Sequence, residues 1–327
     1  GYGDGIKPHM PVLQSLQSEG LTFDNAWAYP VCSPTRSSIL TGRHGFRTGV
    51  LSAVPPENAI PMGETSLHAL LAARASYNSA LIGKWHLSGS SNGDADSPAR
   101  LGIDHYAGLL TGSHQSYHTV RLTQNGVGST VNQYATTLFT DLALSWLEDQ
   151  ASPWFLWLAY TAPHAPFHLP PDSLHYSQGL SDDPAAIDAD PLSYYLAMLE
   201  AMDTEMGRIL DAVDRQNTIV IFIGDNGPPT AVAQLPYRPR RVKGTVYQGG
   251  LQVPLVVSGA GVDRAGQREA ALVSSVDLFA TIAELAGTEG QDSHDSQSFV
   301  GLLGDASAPA RTHVYAQIGG DAPAFAI

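Results

Sequence analysis

One cysteine, Cys32, is the residue of this chain whose type and setting most suggest chemistry. It lies in the stretch YPVCSPTRSSILTGRHG (29–45), two residues before Pro34 and four before Arg36. Proline suits the first turn of a helix, where its missing N–H costs nothing, so we expect a helix that runs from there to Gly42. Cys32 would then lie just before the helix N-terminus, where free N–H groups and the helix dipole favour an anion. The residues alone leave two other interpretations open: a small buried hydrophobic residue or a nucleophilic thiol.

Polar residues also follow three apolar runs of buried-strand length. The runs and the residues after them are ALIG (80–83) with Lys84 and His86, WFLWLAY (154–160) with His164, and TIVIFIG (218–224) with Asp225 and Asn226. Each residue alone has an ordinary explanation: a solvated lysine, a core histidine, a loop residue or a DNG turn. Ligands of open α/β sheets bind at the carboxyl ends of the strands, so the coincidence indicates one common site.

The elements that would position these residues alternate between strands and helices. A fourth apolar run is VPLVVSG (253–259), and the amphipathic stretches are 65–75, 134–150, 193–216 and 274–287. In the last stretch, serines should cap the start and Gly287 should follow the end. This order predicts an α/β fold with a mostly parallel central sheet flanked by helices on both faces. The stretches 88–98 and 178–191 are typical of surface loops.

The composition limits the classes of function. The 327 residues are 43% hydrophobic and 15% charged, which allows a sizeable core in one large domain or two. The net charge of −14 argues against nucleic acid or an anionic membrane as a partner of the whole chain. We find no apolar run near the ~20 residues of a membrane span. A single cysteine cannot form an internal disulfide, so the cysteine content does not distinguish a reducing from an oxidising compartment.

The string CSPTRSSILTG (32–42) resembles the signature of the type I sulfatases, in which Cys-X-Pro-X-Arg directs oxidation of the cysteine to formylglycine. Further similar segments follow in the family's order: LIGKWHLSG (81–89), APHAPFHLP (162–170), GDNG (224–227), KGTVYQGGLQVPLVV (243–257) and SVDLFATIAELAG (275–287). The resemblance implies the alkaline-phosphatase-like α/β fold, followed by a smaller C-terminal α+β subdomain. It implies a sulfuric ester hydrolase, and it favours the periplasm or the exterior as its location.

The resemblance also implies a role for each residue around the nucleophile. Cys32 would become formylglycine through a formylglycine-generating enzyme, and its hydrated gem-diol would attack sulfur. Arg36 would hold the diol, and His86 would take the proton from its second hydroxyl. Histidine suits such transfers because its unperturbed pKa lies near neutrality.

The remaining roles concern the charges of sulfate. By the same resemblance, Lys84 and Lys243 would bind sulfate oxygens, and His164 would bind sulfate or assist the departing alcohol. Asp225 and Asn226 would be ligands of one divalent cation, usually Ca²⁺ in the family. Cations suit this chemistry because a sulfate ester is already anionic when an oxygen nucleophile attacks it.

One part of the family pattern is not found in this sequence. The family has two adjacent aspartates at the end of its first strand, just before a segment like GYGDG (1–5), and we do not expect Asp4 to replace them. We therefore expect residues 1–300 to form the catalytic domain without its first strand, and 301–327 to begin the smaller subdomain and stop short. Such a chain should bind metal weakly and turn over poorly, since calcium takes about six to eight oxygen ligands.

The substrate is less defined than the reaction. Arg238, Arg240 and Arg241 form a positive patch near Lys243, which would either hold further sulfates or be a solvated loop. His105 heads the aromatic and histidine residues of 103–118 that could line the pocket; the others are Tyr106, His114, Tyr117 and His118. We expect a sulfated carbohydrate or an aryl sulfate. The alternatives are a phosphonate monoester or phosphodiester hydrolase of the same superfamily, and a sulfated-glycan binder without catalysis, against which the intact Cys-Ser-Pro-Thr-Arg string argues.

Overall fold

Helices and strands alternate along most of the chain, in a computed structural model that describes residues 5–151, 153–288, 294–319 and 324–326. The helices are α1 (Pro11–Glu19), α2 (Cys32–Thr41), α3 (Gly45–Thr48), α4 (Leu67–Ala75), α5 (Ser97–Arg100), α6 (Ala135–Glu148), α7 (Pro184–Ala189), α8 (Pro191–Ala212), α9 (Gln248–Leu251) and α10 (Asp277–Leu285). The strands are β1 (Gly20–Trp27), β2 (Asn78–Lys84), β3 (His105–Leu109), β4 (Val120–Gln124), β5 (Val127–Val131), β6 (Trp154–Ala159), β7 (Ile219–Ile223), β8 (Leu255–Gly259), β9 (Arg268–Ser274), β10 (Ala316–Ile318) and β11 (Ala324–Ala326). Asp4 lies outside the described residues.

The strands form two large mixed sheets. One has the order β5–β4–β3–β2–β6, with β2 parallel to both of its neighbours. The other has the order β7–β8–β1–β9, and in it β8 runs antiparallel to both of its neighbours. The α/β fold class is confirmed, but the pairing is more mixed than we predicted, because a continuous apolar run indicates burial and not direction. The β4–β5 pair is antiparallel because Asn125 (φ 46°) and Gly126 (φ 83°) form a tight turn of left-handed residues.

The two largest hydrophobic clusters of the described residues pack the sheets against the helices. The first joins β2, β3, α6 and α8, and the second joins β1, β8 and α10. The end strands β6 and β7 are apolar yet only half-buried along most of their length. Leu156 of β6 and Phe222 of β7 pack against the first cluster, whereas Trp157 and Ile221 of the same strands pack against the second. Both end strands therefore contact the same two clusters.

The four amphipathic stretches are helical, as predicted. The side chain of Ser66 caps α4 by accepting the N–H of Ala69 at 3.0 Å, and Gly287 follows α10 with a left-handed φ of 75°. The serine caps that we predicted for α10 are wrong. Val276 occupies the N-cap without a capping side chain. The carboxylate of Asp277 accepts the N–H of Ser274 instead, at 2.8 Å.

Two stretches that we predicted as loops contain short helices. Residues 88–98 include two 3₁₀ turns, and buried Asn92 donates its amide to the carbonyls of Ile60 and Leu87. Within 178–191, α7 begins at Pro184 after Asp183, whose side chain accepts the N–H of Ala185 at 2.9 Å. That Asp-Pro pair is an N-terminal helix signal, so α7 was predictable from its sequence.

The end of the chain contains a small antiparallel pair, β10 with β11. The smaller C-terminal subdomain and its division from the catalytic domain at residue 300 stay predictions. Within the described residues, no helix combines the length and the apolar character needed to cross a membrane.

Candidate active site

Pro34 lies in the first turn of α2 as predicted, but Cys32 is the first residue of the helix and not the residue just before it. Gly42 ends α2 as predicted, with a left-handed φ of 67° and its N–H donated to the carbonyl of Ser38. All ten residues of α2 are buried, and only 3% of Cys32 is exposed. None of the side chains that the structure describes caps the helix N-terminus, so its first N–H groups are available to an anion beside Cys32.

The imidazole of His86 lies against this cysteine. His86 Nδ1 is 3.2 Å from Cys32 Sγ. The backbone of His86 is left-handed (φ 58°), and its N–H donates to the carbonyl of Leu110 at 3.1 Å. Its own carbonyl accepts the hydroxyl of Ser33 at 2.8 Å. The backbone of His86 is thus tied to α2 and to the segment after β3, which accounts for a rare conformation in a non-glycine residue.

Arg36 joins α2 to the end of β2. Its guanidinium donates from Nε to the carbonyl of Trp85 at 2.7 Å and from a second nitrogen to the carbonyl of Lys84. The same group lies over the ring of Trp157, 5.2 Å from its centroid. Burial lowers the pKa of Arg36, while the charges of Asp225 and Cys32 raise it. Arg36 therefore brings a buried positive charge to Cys32 and fixes the residues before His86.

Two lysines bring further positive charge to the same place. Lys84, at the end of β2, is 3% exposed. Burial lowers its pKa, the charges of Cys32 and Asp225 oppose that change, and those of Arg36 and Lys243 add to it. Lys243 lies on a loop held near Cys32, because the N–H of Gly244 donates to the carbonyl of Pro30 at 2.8 Å.

His164 lies beyond the end of β6, in the loop that faces these charges. Its Nδ1 is 2.9 Å from the carbonyl oxygen of Ala165, so the ring donates there and leaves Nε2 available. Tyr117 donates its hydroxyl to the His164 carbonyl at 2.8 Å. Burial and then the charge of Lys84 lower the pKa of His164 to about 4 and that of His86 to about 3. Both imidazoles are therefore neutral near pH 7.

Asp225 and Asn226 follow β7, and Thr35 of α2 donates its hydroxyl to the Asp225 carbonyl at 2.7 Å. Asn226 Oδ1 is buried and accepts no hydrogen bond from the described residues. An unpaired oxygen next to a carboxylate suits a hard cation. The described part of the chain contains no group of three His, Cys, Asp or Glu side chains placed for a metal. The two residues thus fit a divalent cation but supply only part of its ligands.

His105 does not join the site, and our prediction for it was wrong. It begins β3 and pairs with Ala80, whereas the end of β2 that carries Lys84 pairs with Leu109. His105 therefore lies at the opposite end of the sheet, beside Trp146. The reason is its position in the strand: His105 is the first of the five residues of β3, and the site lies beyond the last.

Other residues of 103–118 do approach the site. His114 Nε2 is 2.8 Å from the hydroxyl of Thr161, near His164, and Tyr117 holds the His164 loop as described. His118 is exposed and its ring contacts His168, whereas Tyr106 is buried beside Trp85. We did not predict Ser33, Thr35 or Thr161, because hydroxyl residues are common and their roles here depend on tertiary contacts.

The positive patch is exposed. Arg238, Arg240 and Arg241 are exposed side chains, and none forms an ion pair with the described residues. Arg241 lies over the ring of Tyr247, 4.5 Å from its centroid. The patch belongs to the loop between Asn226 and Lys243, so its backbone connects two parts of the site.

Comparison with known proteins places the geometry in a family. The family model described as Sulfatase matches residues 1–288. Mouse arylsulfatase J is 28% identical over 319 residues, covering 90% of this chain and 51% of that protein. Human N-acetylgalactosamine-6-sulfatase is 30% identical over 329 residues, covering 88% of this chain and 59% of that protein. The chain thus spans about half the length of the curated relatives it matches.

Solved structures agree on the fold. The complex of Ps i-CgsB with k-i-k-neocarrahexaose has a TM-score of 0.83 at 24% identity, and the likeness covers 97% of this chain and 76% of that one. A phosphonate monoester hydrolase from Silicibacter pomeroyi has a TM-score of 0.70 at 18% identity, so the fold alone does not identify the ester. The family model covers most of the chain and includes every residue gathered around Cys32. The chain belongs to the sulfatase family.

Proposed function

We propose that this chain carries the catalytic centre of a sulfuric ester hydrolase that cleaves a sulfate monoester of a carbohydrate or an aryl alcohol. The observation that carries the proposal is the position of Cys32, which begins a buried helix, touches His86 and is surrounded by Arg36 and Lys84. Family membership supports the reaction. The relatives named as arylsulfatases and as N-acetylgalactosamine-6-sulfatase support the ester class.

The proposed nucleophile is formylglycine, made from Cys32 by a formylglycine-generating enzyme. This group supplies a hydrated-aldehyde oxygen in place of a thiol. His86 is the base for the proton at position 32, because its Nδ1 is 3.2 Å from the side chain there. Burial and nearby cations lower its pKa and keep it neutral, and a bound anionic sulfate would raise that pKa again. Arg36 holds the backbone of Lys84 and Trp85 and thereby fixes the approach of His86.

The proposed sulfate site is made of fixed positive charge. Lys84 and Lys243 would hold the sulfuryl oxygens, and the uncapped N–H groups of α2 add a partial positive charge. In a buried site these charges stabilise a developing anion more strongly than they would in water. His164 would meet the leaving oxygen through Nε2, since its Nδ1 is occupied by the Ala165 carbonyl.

Asp225 and Asn226 would hold one divalent cation, calcium by analogy with the family. A hard cation there would offset the charge of the bound sulfate. The unpaired Asn226 Oδ1 supports this assignment. Among the described residues no group of three His, Cys, Asp or Glu side chains is placed for a metal, so carbonyl oxygens, water or other groups would complete the ligand set.

The end strands β6 and β7 support the expectation of one more strand. Both strands are apolar and half-buried, and both contribute to the same two clusters. A strand between them would join the two sheets and would end near Asp225. We propose that the family's first strand takes this place and brings the missing metal ligands, while residues 301–327 begin a smaller subdomain.

The exposed patch gives a proposal for the substrate. Arg238, Arg240 and Arg241 would hold a second anionic group of a sulfated oligosaccharide, because they lack carboxylate partners within the described residues and are connected by chain to Lys243. Three of the chain's seventeen basic residues lie within four positions of a protein with a net charge of −14. The competing explanation is that the three arginines belong to a solvated loop and bind nothing. If the turnover of a disulfated sugar falls as salt is added, the solvated-loop explanation is wrong.

A thiol titration tests the proposed nucleophile directly, because Cys32 is the only cysteine of the chain. Protein produced with and without a formylglycine-generating enzyme should differ in thiol content, and hydrolysis of nitrophenyl sulfate should rise in proportion to the thiol that is lost. Cys32→Ala should be inactive under both conditions. Undiminished hydrolysis by fully thiol-bearing protein, or by Cys32→Ala, would contradict the proposal.

Substrate comparison separates the alternatives. We expect faster turnover of nitrophenyl sulfate than of a nitrophenyl phosphonate monoester. The reverse order would indicate the phosphonate monoester or phosphodiester hydrolase. Binding of a sulfated glycan with no hydrolysis by converted protein would indicate a binder.

A further inference from the structure

We propose that Gly112 is a positioning residue for His86, and that its lack of a side chain makes room for the imidazole. Gly112 lies in the loop after β3, outside the residues to which the family resemblance gives a role. The inference rests on the proposed function only where activity is measured. The placement of the ring can be tested without any substrate.

The His86 ring occupies the space that a side chain at residue 112 would need. A Cβ built on Gly112 would be 2.5 Å from His86 Nε2 and 2.7 Å from Nδ1, with Cε1 closer still. No real Cβ contact is that short. Gly112 is not among the residues with a positive φ, so its backbone would accept alanine. The conflict is therefore with the imidazole and not with the backbone conformation.

The loop that carries Gly112 is anchored on both sides and cannot simply retreat. At one end, the carbonyl of Leu110 accepts the N–H of His86 itself at 3.1 Å. At the other end, His114 Nε2 is 2.8 Å from the hydroxyl of Thr161. The ring of His114 is buried against those of Tyr117 and Phe139.

The consequence is a ring held from two sides. Cys32 Sγ lies 3.2 Å from Nδ1, and the backbone of Gly112 lies against the ring atoms, including Nε2. If a methyl group at residue 112 displaced the ring, His86 Nδ1 would no longer lie within 3.2 Å of the side chain of residue 32. A displacement of about 1 Å at a catalytic group can cost ~10²-fold in rate.

Gly112→Ala tests the placement by kinetics. In converted protein we expect kcat for nitrophenyl sulfate to fall ~10- to 100-fold, with KM changed by less than about twofold, because the ester is still bound by the lysines. Gly63→Ala is the matched control, since nothing lies within 4 Å of a Cβ at this loop glycine. Gly112→Ala with the kcat of the unmodified chain would overturn the inference.

Imidazole NMR supplies a readout that needs no activity. The His86 resonance, assigned by its loss in His86→Asn, should titrate at a higher pH in Gly112→Ala than in the parent, since a displaced ring is less buried. Gly63→Ala should leave the titration unchanged. Identical titration of His86 in all three proteins would also overturn the inference. If the parent chain hydrolyses nothing, the proposed function fails while this measurement still decides the role of Gly112.

The anchor at Thr161 offers a second variant in case Gly112→Ala does not fold. Thr161→Val removes the hydroxyl that meets His114, so the loop over His86 should loosen and kcat should fall in the same direction as for Gly112→Ala. Thr161→Ser keeps the hydroxyl and should restore kcat and the His86 titration. Equal behaviour of the valine and serine variants would contradict the role that we give to the loop.

Discussion

At the scale of single residues, the site depends on positive charges that are placed before any anion binds. Arg36 and Lys84 are buried beside Cys32, and burial lowers the pKa of both. Hydrogen bonds offset part of this burial for Arg36, and the charges of Cys32 and Asp225 offset part of it for both residues. A sulfate ester would supply the remaining negative charge.

Arg36→Lys should show that the shape of this cation matters as well as its charge. A lysine cannot donate to the carbonyls of Lys84 and Trp85 with fork geometry or stack on Trp157. We expect the free energy of unfolding to fall by about 1–3 kcal/mol, because a buried carbonyl loses its donor. Thermal and urea unfolding measure this change. Arg74→Lys, at an exposed arginine, is the control, and equal stabilities of the two variants would contradict the prediction.

Much of this residue set was predictable, because each member follows an apolar run or lies in a short motif. Lys84, His86, His164 and Asp225 end or follow strands of two different sheets and lie close enough for their charges to interact, as the strand ends indicated. The role of Gly112 was not predictable, because only tertiary packing places it against His86. His105 was misplaced because a residue type gives no register.

At the scale of elements, the packing of α4 against β6 contains an unusual buried group. The ring of His68 lies 5.0 Å from that of Phe155 and stacks on Trp157. Both of its ring nitrogens are buried without a hydrogen bond to the described residues, and burial lowers its pKa to about 3. The polar nitrogens of His68 therefore contribute no stabilising hydrogen bond to the folded state.

His68→Phe should make the protein more resistant to acid. The unfolded chain binds a proton at this residue below about pH 6.5, whereas the folded chain binds it only near pH 3, so stability is lost as the pH falls between these values. The phenylalanine variant should therefore lose about 2 kcal/mol less than the parent between pH 7.5 and pH 5. Urea unfolding at the two pH values measures the difference. His313→Phe, at an exposed ring, should show no such gain, and an equal gain there would refute the explanation.

The elements themselves were predicted well where they are long and apolar, as for α8 and β6. Strand direction was not, because β8 is as apolar as a parallel strand yet is antiparallel to both of its neighbours. Short helices such as α7 depend on caps of two or three residues, which compete with the general polar character of a loop.

At the scale of the whole molecule, the proposed sulfate site and the proposed metal site differ in how many groups the described residues supply. Calcium favours about six to eight oxygens, whereas Asp225 and Asn226 provide a small part of that number. β6 and β7 are the end strands of their sheets and are half-buried along most of their length, and the proposed cation ligands directly follow β7.

Calcium titration of this chain should therefore give weak binding. By isothermal calorimetry we expect little heat at micromolar calcium, and we expect Asp225→Asn to remove what heat there is. Asp214→Asn, in the loop before β7, is the control for nonspecific binding to an acidic surface. Tight stoichiometric binding by the parent chain would contradict the prediction.

The burial of α2 has a consequence for the order of modification and folding. Cys32 and the nine residues after it are buried in the folded chain, so another enzyme can reach this side chain only where α2 is unfolded. Under the proposed mechanism, the aldehyde must be installed while the polypeptide is still nascent. The fraction of molecules with a converted Cys32 would then be fixed before folding. That fraction would set the share of active protein in a preparation.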